Sequence, residues 1–112
     1  MIRVSIRRNA KGFPCGFLCK GHAGYADPGQ DIICSAVTAM AAMTITGLTD
    51  VLHLHVQYRL DEGHIECSVP LNGQVNKANA DRIELLMETF ELGCRQLEDS
   101  HNGKYIKVDQ QH

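Results

Sequence analysis

Asp31-Ile32-Ile33-Cys34-Ser35-Ala36-Val37-Thr38-Ala39-Met40-Ala41-Ala42-Met43-Thr44-Ile45-Thr46-Gly47-Leu48-Thr49 carries no charge after its first residue, and the reading of this run decides the architecture. The Asp31 side chain offers an oxygen to the free N–H groups that begin a helix, so a helix is expected from Ile32 to about Val51 or Leu52. It has almost no polar face, and a helix apolar nearly all round must be covered on both sides. One cover is a sheet. The other is a second helix or a partner subunit, which makes a homodimer the working hypothesis. The run just reaches the length of a membrane span, but Ser35, Thr38, Thr44, Thr46, Thr49 and Gly47 leave it weakly hydrophobic. It is read as a core helix, with no membrane partner.

Working outward, Ile2, Val4 and Ile6 alternate with polar residues, and a second run from Phe13 to Lys20 follows the turn-forming Asn9-Ala10-Lys11-Gly12. These form a hairpin. Beyond the helix, residues 55–60 alternate, Asp61-Glu62-Gly63 turns, and residues 64–69 alternate again before Pro70. Between Asn76 and Asp99, Ile83, Leu86, Met87, Phe90, Cys94 and Leu97 recur at three- and four-residue steps with charges between them, which predicts an amphipathic helix. His101-Asn102-Gly103 ends it, and Tyr105-Ile106-Lys107-Val108 supplies a last strand. The expected fold class is α+β in ββαββαβ order, with an antiparallel or mixed sheet packed with two helices, as a single domain over residues 1–112.

A chain of 112 residues suits one core and is short for two. With 44% hydrophobic and 21% charged residues it has the apolar content to pack that core. A net charge of −2 leaves no basic surplus for phosphates, which argues against direct nucleic-acid binding. Five cysteines, an odd number, with no secretory signal at the start, point to reduced thiols and a cytoplasmic location.

Chemistry concentrates between Gly21 and Thr38. Gly21, Gly24, Pro28 and Gly29 forbid a regular element between residues 21 and 30, which leaves a loop headed by His22. With Asp31 as cap, Cys34 falls in the first helical turn, where free N–H groups and the helix dipole favour an anion. A thiolate is such an anion, so Cys34 is expected to be substantially ionised at neutral pH, and the same N–H groups are expected to receive the oxyanion of an acyl transfer. A loop folding back over the helix start would bring His22 to the Cys34 sulfur as general base. Plainer roles stand beside these: Cys34 as a small buried hydrophobe, Asp31 as a cap alone, Asp27 as a turn residue, Thr38 bonded back to the Cys34 carbonyl. Cys15, Cys19, His22 and Cys34 are also the residue types of a zinc site, but a strand would hold Cys15 and Cys19 about 13 Å apart at ~3.3 Å per residue, so no metal and no cofactor is expected. Cys15, Cys19, Cys67 and Cys94 are read as packing residues, and His53, His55 and His64 as structural or solvated.

Gly21-His22-Ala23, a glycine-bearing loop, then Asp31-Ile32-Ile33-Cys34-Ser35-Ala36 with a hydroxyl at Thr38, resembles the ribosomal-processing cysteine protease family, Prp, along essentially the whole chain. The resemblance implies a homodimeric cysteine endopeptidase that removes an N-terminal extension from the twenty-seventh large-subunit ribosomal protein. It implies His22 and Cys34 as catalytic pair and Asp31 in an assisting role. Thr38 stands where the family often places a serine. Gly21, Gly24 and Gly29 would let the loop order over substrate. A different class of function, a ribosome-associated module that binds without cutting, is separated from it by a cleavage assay.

Overall fold

A computed structural model describes residues 1–27, 30–71 and 75–111. Its elements run β1 (Ile2–Arg8), β2 (Pro14–Lys20), α1 (Ile32–Thr46), β3 (Gln57–Asp61), β4 (His64–Ser68), α2 (Lys77–Ser100) and β5 (Ile106–Gln111), which is the expected ββαββαβ order. The sheet is mixed, in the order β3-β4-β2-β1-β5, with β5 parallel to β1 and every other neighbouring pair antiparallel. The α+β fold class stands.

Period-two alternation explains how the sheet meets the helices. Ile2, Val4 and Ile6 of β1, Phe17 and Cys19 of β2, Ile65 and Cys67 of β4, and Ile106 and Val108 of β5 are all buried. Facing them are Ile33, Val37, Ala41 and Ile45 of α1, and Ile83, Met87, Phe90 and Cys94 of α2. Phe17 and Phe90 stack with ring centroids 4.3 Å apart. All five cysteines are free, and burial pushes the Cys19 and Cys67 thiols up to about 12, as inert packing groups require. Cys94 is likewise raised by burial.

The apolar helix ends close to the expected position but not as a plain α-helix. After Thr46 the chain takes one π-helical turn, Gly47–Val51, in which Leu52 N–H donates to the Gly47 carbonyl. The stretch Ile32–Val51 is apolar enough by length and composition to cross a membrane, with mean hydropathy 1.7, and in this fold it lies against α2 and the β3–β4 hairpin. Helix contact is close: a Cβ on Gly93 of α2 would stand 2.8 Å from the Met40 sulfur of α1, so a larger residue there would make the Met40 side chain shift.

Three expectations shift at element ends. β3 begins at Gln57 and not His55, and all its residues are exposed because it is an edge strand. β2 begins at Pro14, one residue later than expected, beside an irregularity between Arg7 and Arg8. β5 runs beyond Val108 because it pairs along β1 from Ile2 to Arg7.

Candidate active site

Asp31 caps α1 as expected, but it does so with unusual reach. Its Oδ1 accepts from the N–H groups of Ile33 and Cys34, both at 3.0 Å. Its Oδ2 accepts from Tyr25 N–H at 3.1 Å, which ties the loop after β2 to the start of the helix. The side chain is 5% exposed. Burial alone would raise the Asp31 pKa, yet the N–H groups of Cys34, Tyr25 and Ala26 and the Cys34 thiol together hold it below the ordinary carboxylate value. The loop is anchored a second time through the Tyr25 ring, which meets Tyr105 edge-on at 5.2 Å and His101 at 6.1 Å. Gln30 N–H donates to the Asp27 carbonyl, so Asp27 does sit in a turn.

Cys34 is half-buried in the first turn of α1, and its Sγ accepts from Ala23 N–H at 3.3 Å. Two sequence expectations about it need correction. The thiol pKa lies above its ordinary value: partial burial raises it most, and the Asp31 charge and hydrogen bond add to that, against the lowering by Ala23 N–H. Burial first, and the capping carboxylate after it, thus work against the favourable field of the helix start. Three helix-start donors are also occupied: Ile33 and Cys34 N–H both point to Asp31 Oδ1 and Ser35 N–H to the Asp31 carbonyl.

His22, Cys34, Asp31 and Thr38 all line one cleft of about 800 Å³, within the size range of ligand sites. His22 and Cys34 share this cleft without a hydrogen bond between them. The imidazole lies instead against Gly63 in the β3–β4 turn, where a Cβ would stand 2.9 Å from its Nε2. Gly63 has φ +75°, so its lack of a side chain serves both the turn and the room for His22. Thr38 is exposed on the cleft wall, and no hydrogen bond to the Cys34 carbonyl is present. Gly21 and Gly24 adopt positive φ, whereas Gly29, with Pro28, lies outside the described residues. Among the described residues no three His, Cys, Asp or Glu side chains converge to hold a metal ion, so Cys15, Cys19, His22 and Cys34 form no such set.

The family model for cysteine protease Prp matches residues 1–107. The chain belongs to the cysteine protease Prp family. It is therefore a cysteine protease. The ribosomal processing cysteine protease Prp of Staphylococcus aureus (strain Mu50) is 27% identical over 106 residues, covering 91% of this chain and 92% of that protein. Two crystal structures of the S. aureus ribosomal processing protease Prp share the fold. One, in complex with a covalently linked product peptide, superposes with TM-score 0.82 at 21% identity, covering 99% of this chain and all of the other. The other, in complex with a substrate peptide, gives TM-score 0.78 at 20% identity with the same coverage.

In this Prp-family chain the sequence pointed to one wall of the cleft and missed the other. The far wall is Glu62, Gly63, His64 and Ile65, from a turn more than 25 positions away in sequence from Cys34. His64 was read as structural or solvated, yet it lines the cleft, with Nε2 3.4 Å from Glu66 Oε1. What brings the turn there is strand pairing: Lys20 opposes His64, and Gly21 N–H extends the ladder to the Gly63 carbonyl at 3.0 Å. No local signal in the sequence encodes that pairing.

Proposed function

We propose that this protease removes the N-terminal extension of a ribosomal protein precursor, the twenty-seventh protein of the large subunit, with Cys34 as nucleophile and His22 as general base. The observation that carries the reading is the placement of both side chains on one peptide-sized cleft, with the sulfur at the start of a capped helix. The relatives' names speak for ribosomal processing, and the S. aureus structure with a covalently linked product peptide accords with covalent catalysis. The residues supply the steps. His22 leaves Gly63 and takes the proton from Cys34, whose thiol burial pushes up. The sulfur attacks the scissile carbonyl, the amine leaves with the proton returned by His22, and water releases the extension from the thioester.

Asp31 acts as a positioning residue through the loop, and Thr38 presents its hydroxyl to the peptide from the helix wall. Ala39 and Ala42 on that wall, with Val37 and Ile65 nearby, leave room for apolar substrate side chains. The cleft also takes the loop glycines Gly21 and Gly24 into its lining, consistent with a loop that closes over substrate. The enzyme works as a cytoplasmic homodimer on this reading, supported by free thiols throughout and by apolar side chains left outside on both helices, Met43 at 70% and Leu85 at 67% exposure.

Incubation of the purified chain with a peptide spanning the ribosomal extension, followed by mass spectrometry, tests the reading. Cleavage at one bond is expected, abolished in Cys34→Ala and slowed about 10²- to 10⁴-fold in His22→Ala. A peptide left intact by the wild-type chain would remove the assigned substrate.

A further inference from the structure

Acyl transfer by a thiol needs a hydrogen-bond donor where the carbonyl oxygen becomes an oxyanion, and the helix start is the first place to look. Three of its donors are taken. Asp31 Oδ1 holds the N–H groups of Ile33 and Cys34 at 3.0 Å, and Ser35 N–H is bonded to the Asp31 carbonyl. A different donor stands at the sulfur. The main chain from His22 to Tyr25 crosses over Cys34, with Ala23 N–H aimed at Sγ from 3.3 Å. Ala23 is 4% exposed, and two residues further on Tyr25 N–H is pinned to Asp31 Oδ2 at 3.1 Å. The donor is therefore screened from solvent and fixed to the same carboxylate that fixes the helix carrying the nucleophile.

We propose that the main-chain N–H of Ala23 is the oxyanion donor of this protease; the assignment rests on the reading of Cys34 as nucleophile. In the resting site the N–H bonds to sulfur. During attack His22 takes the thiol proton, the S–C bond forms, and the carbonyl π pair moves onto oxygen. That oxygen is attached to the carbon now bonded to sulfur, so it lies within reach of a donor 3.3 Å from Sγ. As charge passes from sulfur to oxygen, the N–H passes with it. Collapse of the oxyanion then breaks the C–N bond, the amine departs with the proton from His22, and a thioester remains. Asp31 enters as the positioning residue for this donor: it holds the Cys34 N–H and, two residues on from Ala23, the Tyr25 N–H, and takes no bond from the Ala23 N–H itself.

The test replaces one atom group. Full-length chain is assembled by ligating a synthetic segment ending at Ile33 to the segment beginning at Cys34, with lactic acid in place of Ala23, so that an ester oxygen replaces the N–H. Three rates are compared with the all-amide protein: peptide cleavage, acylation of Cys34 by p-nitrophenyl acetate, and alkylation by iodoacetamide, which forms no oxyanion. The expected result is a loss of about 10²- to 10³-fold in cleavage, the usual effect of removing one oxyanion donor, and at least tenfold in acylation, with alkylation changed by only a few-fold. Equal losses in all three rates, or cleavage and acylation at the all-amide rates, would overturn the assignment. An all-amide protein that is acylated by the ester but leaves the ribosomal peptide uncut would remove the substrate reading alone, and the ratio of acylation to alkylation still decides the role of Ala23.

Discussion

Asp31 commits both carboxylate oxygens to main-chain N–H groups, one to the first turn of α1 and one to the loop that bears His22. Burial raises the Cys34 thiol most, and the same carboxylate adds to this through its charge and its hydrogen bond, so it stabilises the architecture while disfavouring the thiolate. These two effects predict opposite changes in one variant. Asp31→Ala is expected to lose about 1–2 kcal/mol at pH 7, the value of a good helix cap, read as a lower urea midpoint. Because the folded Asp31 pKa lies below its unfolded value, its contribution is full above an unfolded pKa of ~3.9 and is lost as pH falls through the folded one. The stability gap between wild type and variant should accordingly narrow on acidification. In the same variant the pH inflection for iodoacetamide alkylation of Cys34 should move down. A gap that stays constant with pH, or an inflection that moves up, would contradict the electrostatic account of this residue.

At the scale of elements, α1 is covered by β3, β4 and α2 on its inner side, and its outward residues are small or apolar. Met43 of α1, Val51 of the π-helical turn after it, and Leu85 and Leu92 of α2 are among the most exposed large hydrophobics of the described residues. The sequence argument that an all-round apolar helix needs two covers is met only in part by α2, and a second copy would supply the remainder. Sedimentation at high micromolar concentration is expected to give a dimer mass for wild type and a shift toward monomer for Met43→Glu, which places a charge on that outer surface. A wild-type monomer at that concentration would rule the arrangement out. α2 is also tied to the sheet by Glu91, which is buried and paired with Arg8 of β1 at 2.7 Å and with Arg95 at 3.0 Å. Breaking such a buried pair by removing one partner is costly, so this contact keeps α2 in register with the sheet that carries the cleft.

For the whole molecule, what was legible in the sequence follows the range of each interaction. The alternation of Ile2, Val4 and Ile6, the three- and four-residue steps of α2, and the cap at Asp31 are local, and each was readable before any fold was known. The π-helical turn at Gly47–Val51 depends on tertiary packing, and the parallel pairing of β5 with β1 depends on contacts across the length of the chain, so neither leaves a local mark. The site divides the same way. His22, Asp31 and Cys34 stood out by spacing, whereas the Gly63 turn and the Ala23 N–H emerge only when β4 pairs with β2 and the loop is pinned. The upward shift of the Cys34 thiol has a related origin: the helix dipole is a property of the element, but the burial that raises the thiol most, and the Asp31 carboxylate that adds to it, arise only in three dimensions.

The central claim is that Cys34, of five thiols, forms a covalent bond to the substrate. Acid quenching of a reaction between the enzyme and the ribosomal extension peptide, followed by digestion and mass spectrometry, measures this directly. The account predicts a thioester adduct with the mass of the residues on the N-terminal side of the cut bond, located on the peptide containing Cys34 and absent from Cys34→Ala. An adduct on Cys15, or cleavage that persists in Cys34→Ala, would contradict it.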